Sequence, residues 1–169
     1  MRDDEAEYAL MAGWLDQPHV KYFWDPDLPP ATSDYVRDNY GPSADPLNTP
    51  CIIQTGGRPV GFIQFYRWTS YPKEVGELGL DVLPDDWGID VLIGEPDAVG
   101  IGVGTSAVDL LCRYLEHELD AQSVILLTDV HNERAQRAYE KAGFIKERVL
   151  LDLDTRDGER IHSFVMRRR

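Results

Sequence analysis

Tyr8, Leu10, Met11, Trp14 and Leu15 fall at three- and four-residue steps, which predicts an amphipathic helix over residues 4–16. Asp3 or Asp4 supplies its cap and Pro18 its stop. An aromatic cluster, His19-Val20-Lys21-Tyr22-Phe23-Trp24, and a proline-rich loop (Pro26, Pro29, Pro30) come next. Thr32 and Ser33 are caps for a short second helix that reaches about Tyr40, and residues 41–50 are turn formers throughout. Residues 51–55 and 58–68 read as two strands joined at Gly56-Gly57, a hairpin signal. Inside the second, Val60, Phe62, Phe65 and Trp68 give bulk, and Gly61 marks a bulge or a close backbone approach. Residues 69–88 carry no legible period and read as an acidic loop with aromatic punctuation.

The pattern sharpens at residues 89–93, an apolar strand that carries one carboxylate, Asp90. A turn on Gly94 and Pro96 follows, then Gly100, Gly102 and Gly104 in alternation. A helix starts at once, with Val108, Leu111, Cys112, Leu115 and Leu119 on one side. Residues 123–129 form a buried strand, and Asn132 caps a helix that stops at Gly143. Two more strands close the chain, from about residue 145 and over 160–166, around a turn at Asp157-Gly158. The terminal Arg167-Arg168-Arg169 reads as a solvated end.

These 169 residues suffice for one compact domain spanning 1–169. No run approaches the roughly 18–20 apolar residues of a membrane span, and the acidic start is wrong for a signal peptide. A formal charge of −13 argues against nucleic acid and anionic membranes as partners and favours a cationic small molecule. Cys51 and Cys112 sit in apolar runs and read as buried, inert thiols, consistent with a reducing, cytoplasmic location. His19, His117, His131 and His162 are scattered, so no metal site and no histidine-based nucleophile is expected.

A glycine-rich turn that opens a helix gathers unpartnered backbone amides at the positive end of the helix dipole, a site for an anion. Two common phosphate motifs fail on spacing. A dinucleotide fingerprint needs a third glycine where Thr105 stands, and a P-loop needs a lysine that is absent. A turn without a ligand is the plain alternative. On a second helix Arg134, Arg137 and Lys141 share one face, a stripe that suits either a phosphate or surface ion pairs.

Gly-Ile-Gly-Val-Gly-Thr (100–105) before a helix resembles the coenzyme A loop of the GCN5-related N-acetyltransferases (GNAT), whose pattern is Gln/Arg-x-x-Gly-x-Gly/Ala. Val99 stands at the Gln/Arg position, a departure that removes one polar contact and keeps the amide cradle. Downstream, Asn132-x-x-Ala135-x-x-x-Tyr139-x-Lys141-x-Gly143-Phe144 is similar to the family's second signature. The resemblance implies an α/β (α+β) fold: a central mixed, largely antiparallel twisted sheet, splayed between its two central strands, with helices on both faces. The family's usual first strand is missing ahead of the first helix; either the sheet lacks that edge strand or residues precede Met1. It further implies acetyl-CoA as co-substrate and no metal. Its ligands would be Leu92, Ile93, Val99, Gly100, Ile101, Gly102, Val103, Gly104, Thr105, Asn132, Arg134, Arg137 and Lys141. A backbone amide near residues 92–94 would hold the thioester oxygen, and Tyr139 would assist the departing thiolate.

Trp87-Gly88-Ile89-Asp90-Val91-Leu92-Ile93 is similar to a stretch of the aminoglycoside 6′-N-acetyltransferases, where the aspartate binds the reacting amine and is proposed as general base. The same resemblance makes Trp24, Asp90, Asp129 and Asp157 substrate-binding candidates for a polycationic aminoglycoside. Glu74, Asp86 and Trp87 join them from the acidic loop on charge and aromatic character alone, since that loop matches the family too loosely to assign by residue. Other acceptors remain open: a siderophore-type lysine or hydroxylysine N6-acyltransferase, or a protein N-terminal acetyltransferase. A non-catalytic acetyl-CoA-binding module is the non-enzyme alternative. A monomer or homodimer is expected.

Overall fold

The computed structural model describes residues 1–156 and 158–169. In chain order the elements are α1 (Glu5–Leu15), α2 (Pro18–Trp24), α3 (Ser33–Tyr40), β1 (Asn48–Thr55), β2 (Arg58–Arg67), α4 (Pro72–Leu78), β3 (Asp86–Ile93), α5 (Val103–Glu118), β4 (Ser123–Asp129), α6 (Glu133–Lys141), β5 (Ile145–Arg156) and β6 (Glu159–Arg168). The six strands hydrogen-bond in the order β1-β2-β3-β4-β6-β5. β3 and β4 run parallel over Asp86–Gly88 and Ser123–Ile125, whereas β4–β6 and β5–β6 are antiparallel. Beyond that short parallel ladder β3 continues to Ile93 and β4 to Asp129. The first strand, β1, comes after three helices, as the helix-first reading expected.

The chain divides into two compact units, residues 1–65 with 90–104, and 66–89 with 105–169. In the first, Tyr8, Met11, Trp14, Leu15, Val20, Val36, Phe62 and Leu92 form the core. Asp4 is the cap of α1, its carboxylate accepting from the Ala6 amide at 2.8 Å, while Asp3 takes the Tyr8 hydroxyl. Gly61 has no room for a side chain: a Cβ there would stand 2.4 Å from the Leu92 carbonyl oxygen, the close approach that its glycine announced. Gly94 is tighter still, with the Trp14 ring 1.9 Å from where a Cβ would sit.

In the second unit Trp68, Leu80, Ile125 and Val165 pack together, and Tyr66 lies flat over Gly88. Cys112 is fully buried on the inner face of α5, and burial pushes its thiol up to about 12, so it is inert.

Three sequence expectations change. Pro18 opens a helix rather than only ending one, because a first-turn position needs neither its amide hydrogen nor another φ; the aromatic run becomes α2. Part of the illegible stretch is helix α4, started by Pro72 and stopped by Gly79 in the left-handed conformation, and β3 already begins at Asp86. Most consequential, of the three terminal arginines only Arg169 is a solvated end. Arg167 is buried and donates to Asp86 (2.9 Å), Ser123 (2.7 Å) and the Asp81 carbonyl (2.8 Å). Arg168 pairs with Asp109 (2.8 Å) and Glu116 (2.9 Å) and donates to the Ala142 carbonyl. β6 therefore runs to Arg168 and ties β3 and α5 to the end of the chain.

Removing one partner of a buried pair strands the other charge, so Arg167→Ala is expected to cost about 3–5 kcal/mol of unfolding free energy. Gly94→Ala must displace the Trp14 ring and is expected to cost about 1–3 kcal/mol through overpacking. Urea denaturation reads both as a lowered midpoint; a wild-type midpoint in either variant would contradict the assignment.

Candidate active site

The organising feature of the first unit is the end of β3. Contacts pair Val60 with Gly94 and Gln64 with Asp90, so β2 and β3 run in opposite directions. The amides of Gly94 (2.9 Å) and Glu95 (3.1 Å) both donate to the Val60 carbonyl. Two residues facing one make a β-bulge, which turns the strand. Gly94 spends its amide on β2, and in an antiparallel ladder successive residues face opposite edges. Ile93 therefore presents its amide and carbonyl on the edge away from β2. Its carbonyl lies 2.9 Å from His19 Nε2. The bulge is clamped from outside: the Trp14 indole donates to Glu95 (2.8 Å), and Glu95 and Asp97 are both bound by Arg58. The Trp14 hydrogen bond and then Arg58 lower the Glu95 pKa, and Arg58 lowers that of Asp97.

Asp90 sits on the same strand, partly exposed, with Gln64 Nε2 donating to its carboxylate at 2.8 Å. Desolvation raises its pKa above the ordinary aspartate value, and the Gln64 hydrogen bond opposes that shift. Among the described residues no cation pairs with it. A desolvated carboxylate held by a neutral amide is suited to receive an ammonium group.

The glycine turn has the form its sequence suggested. Gly100 and Gly102 take positive φ (79° and 94°), which L side chains resist, and α5 starts at Val103. Nothing lies within 4 Å of a Cβ built on either glycine, and Ile101 is 72% exposed. The first-turn amides of Val103, Gly104 and Thr105 have no intrahelical acceptor. This is an open amide cradle, and it fits a phosphate. Val99 lies partly buried before it, and Gly104 packs its backbone near the Ile93 side chain.

In the second unit, Tyr139 on α6 is 9% exposed, with its ring 6.1 Å from Phe144. Asn132 is the α6 cap, accepting from the Ala135 amide. Arg134, Arg137 and Lys141 are exposed on α6, and Arg137 is bound to Glu133 one turn back. Glu74 is exposed on the first turn of α4.

Other substrate candidates have different work. Asp86 is 1% exposed and fully engaged by Ser123, Arg167 and the Leu83 amide, so it is a structural anion and not a substrate ligand. Asp129 is buried against Arg156 at 2.7 Å and caps the following turn through the His131 amide, so its charge is balanced internally. Trp87 carries the Arg67 guanidinium 4.5 Å above its ring, a cation–π contact made within the protein. Trp24 is half-buried, donating to the Tyr40 hydroxyl at 2.9 Å with its edge against Phe62. Asp157 lies outside the described residues. Gln64 and His19 were missed as site residues. The signal for Gln64 was available in strand alternation, because its side chain must cross to its ladder neighbour on β3.

Comparisons agree with this architecture. A model described as an acetyltransferase (GNAT) domain matches residues 3–150. The aminoglycoside N(6′)-acetyltransferase type 1 of Klebsiella pneumoniae is 30% identical over 145 residues, covering 85% of this chain and 71% of the relative. A solved structure of AAC(6′)-Ib with parmomycin and acetyl-CoA superposes with a TM-score of 0.80 at 26% identity, over 99% of this chain and 90% of that one. Another, with coenzyme A and kanamycin, gives 0.79 at 26% identity, over 99% and 92%. With both signatures, the amide cradle and a family match over most of its length, the chain belongs to the GNAT acetyltransferases.

Proposed function

We propose that the protein transfers the acetyl group of acetyl-CoA to the 6′-amine of an aminoglycoside within a ternary complex. The observation that carries this reading is Asp90: a desolvated carboxylate on β3, the strand that leads into the Gly94–Glu95 bulge, held by Gln64 and without a cationic partner among the described residues. Support comes from the aminoglycoside 6′-N-acetyltransferase of Klebsiella pneumoniae as a relative and from the kanamycin and parmomycin complexes of the structural neighbours. Acetyl-CoA supplies the activated acyl group.

Asp90 orients the substrate ammonium and accepts a proton as the amine lone pair attacks the thioester carbonyl carbon. The Ile93 amide, on the free edge of β3, donates to the carbonyl oxygen as it becomes an oxyanion. Tyr139 gives a proton to the departing thiolate, so the products are the N-acetylated amine and coenzyme A. The amides of 103–105, reached through Gly100 and Gly102, hold the pyrophosphate, with Arg134 and Lys141 as exposed cations on α6. The −13 charge draws a polycation toward the protein at low salt.

Thiol release from acetyl-CoA is expected with aminoglycosides that bear a free 6′-amine, and not with lysine, hydroxylysine or a basic N-terminal peptide. Turnover with the lysine compounds alone would contradict the reading.

Because burial raises the Asp90 pKa, the active carboxylate is lost on acidification at a pH above the ordinary aspartate range. The kcat/KM profile is expected to rise with pH through that step. Asp90→Asn should lower kcat by about 100-fold or more, remove the step and leave acetyl-CoA binding nearly intact. Burial penalises the ionised form, so its contribution to stability is present at acid pH and lost as pH rises through the folded-state pKa. Asp90→Asn is accordingly expected to stabilise the fold at neutral pH. Unchanged turnover in this variant would remove Asp90 from the mechanism.

A further inference from the structure

His19 has no part in the acyl-transfer steps above, yet it touches the edge of β3 from which the Ile93 amide acts. Its Nε2 lies 2.9 Å from the Ile93 carbonyl oxygen, and a carbonyl only accepts, so Nε2 carries the hydrogen. The contact spans 74 residues of sequence. It is local in space because α2 starts directly at Pro18 and is anchored by buried Val20. On the opposite edge, the Gly94 and Glu95 amides converge on Val60, and the Trp14 ring fills the space where a Gly94 side chain would be. Ile93 is thus fixed through its neighbours on one side and through His19 on the other. The Ile93 carbonyl and the Gly94 amide share one peptide plane, so His19 and Val60 hold that plane from its two ends. The Ile93 amide is set from it through the torsions of Ile93; without the imidazole one end of the plane is released.

We propose that His19 is a positioning residue for acyl transfer: by donating to the Ile93 carbonyl it aims the Ile93 amide at the thioester oxygen. The inference rests on the acetyltransferase reading above and concerns its acetyl-CoA half, so it holds for whichever amine is the acceptor. The imidazole donates from Nε2 whether neutral in this tautomer or protonated, so the restraint persists across the pH range in which Asp90 titrates. His19 itself exchanges no proton with substrate.

The test is infrared difference spectroscopy with acetyl-CoA labelled with carbon-13 at the thioester carbonyl. In the wild-type protein the bound carbonyl stretch is expected below that of free acetyl-CoA, the signature of a donated hydrogen bond. His19→Ala returns the band toward the free position. His19→Gln, whose amide reaches and donates, keeps most of the shift. With whichever amine turns over, kcat of His19→Ala falls about 10-fold, less than deletion of an oxyanion donor itself, at an acetyl-CoA KM within about two-fold of wild type. Thermal melts check the fold; His19→Leu, which keeps bulk and loses the donor, replaces the alanine variant if that one melts early. A wild-type shift that survives in His19→Ala and His19→Leu overturns the role of His19. A wild-type protein that binds acetyl-CoA with no shift overturns the Ile93 amide assignment beneath it. Failure to bind acetyl-CoA at all would refute the acetyltransferase reading instead.

Discussion

The site depends on how β3 ends. A strand that simply stopped would leave its last peptides free to rotate, and a freely rotating amide stabilises an oxyanion poorly because reorientation costs energy during the reaction. Here the last peptides are held by the shared Val60 carbonyl, by the Trp14 ring seated on Gly94, and by His19 on the Ile93 carbonyl. Each restraint comes from a different element, β2, α1 and α2 in turn. Glu95, locked to Trp14 and Arg58, closes the same corner. On the proposed mechanism the helices ahead of the first strand serve chemistry as well as the core, because α1 and α2 supply two of the three restraints.

Charge is used selectively within an acidic chain. Arg156, Arg167 and Arg168 are committed to internal carboxylates, which removes Asp86 and Asp129 from the set that faces a substrate. Asp90 is treated differently, with burial and a neutral amide in place of an arginine. The fold thus bears a destabilising carboxylate at the position proposed above to bind an ammonium, the pattern expected when function sets a residue against stability.

Much of this was legible in the chain, and the reasons differ by element. The glycine turn and its helix were readable because left-handed φ values demand Gly100 and Gly102 regardless of context. The capped helix from Asn132 to Gly143 was readable because its caps are local chemistry. Gly61 announced the tight β2–β3 contact. What was hidden depends on contacts distant in sequence. The arginines at 167 and 168 look like a solvated tail until β6 places them beside Asp86 and Glu116. Asp86 reads as a substrate carboxylate for the same reason, its partners Ser123 and Arg167 being distant in sequence. Pro18 and Pro72 were ambiguous because proline both ends and begins helices. His19 reads in the sequence as one member of an aromatic cluster, and only the spatial approach of α2 to Ile93 gives it a task.

The most direct test of the central claim is the position of the new amide in the product. Purified protein would be incubated with acetyl-CoA and kanamycin, and the product examined by two-dimensional NMR, with an aminoglycoside bearing a 6′-hydroxyl as control. A single acetyl group on the 6′-nitrogen, with no product from the control, is the predicted result. Acetylation at another amine, or equal turnover of both compounds, would contradict the assignment of Asp90 to a 6′-ammonium.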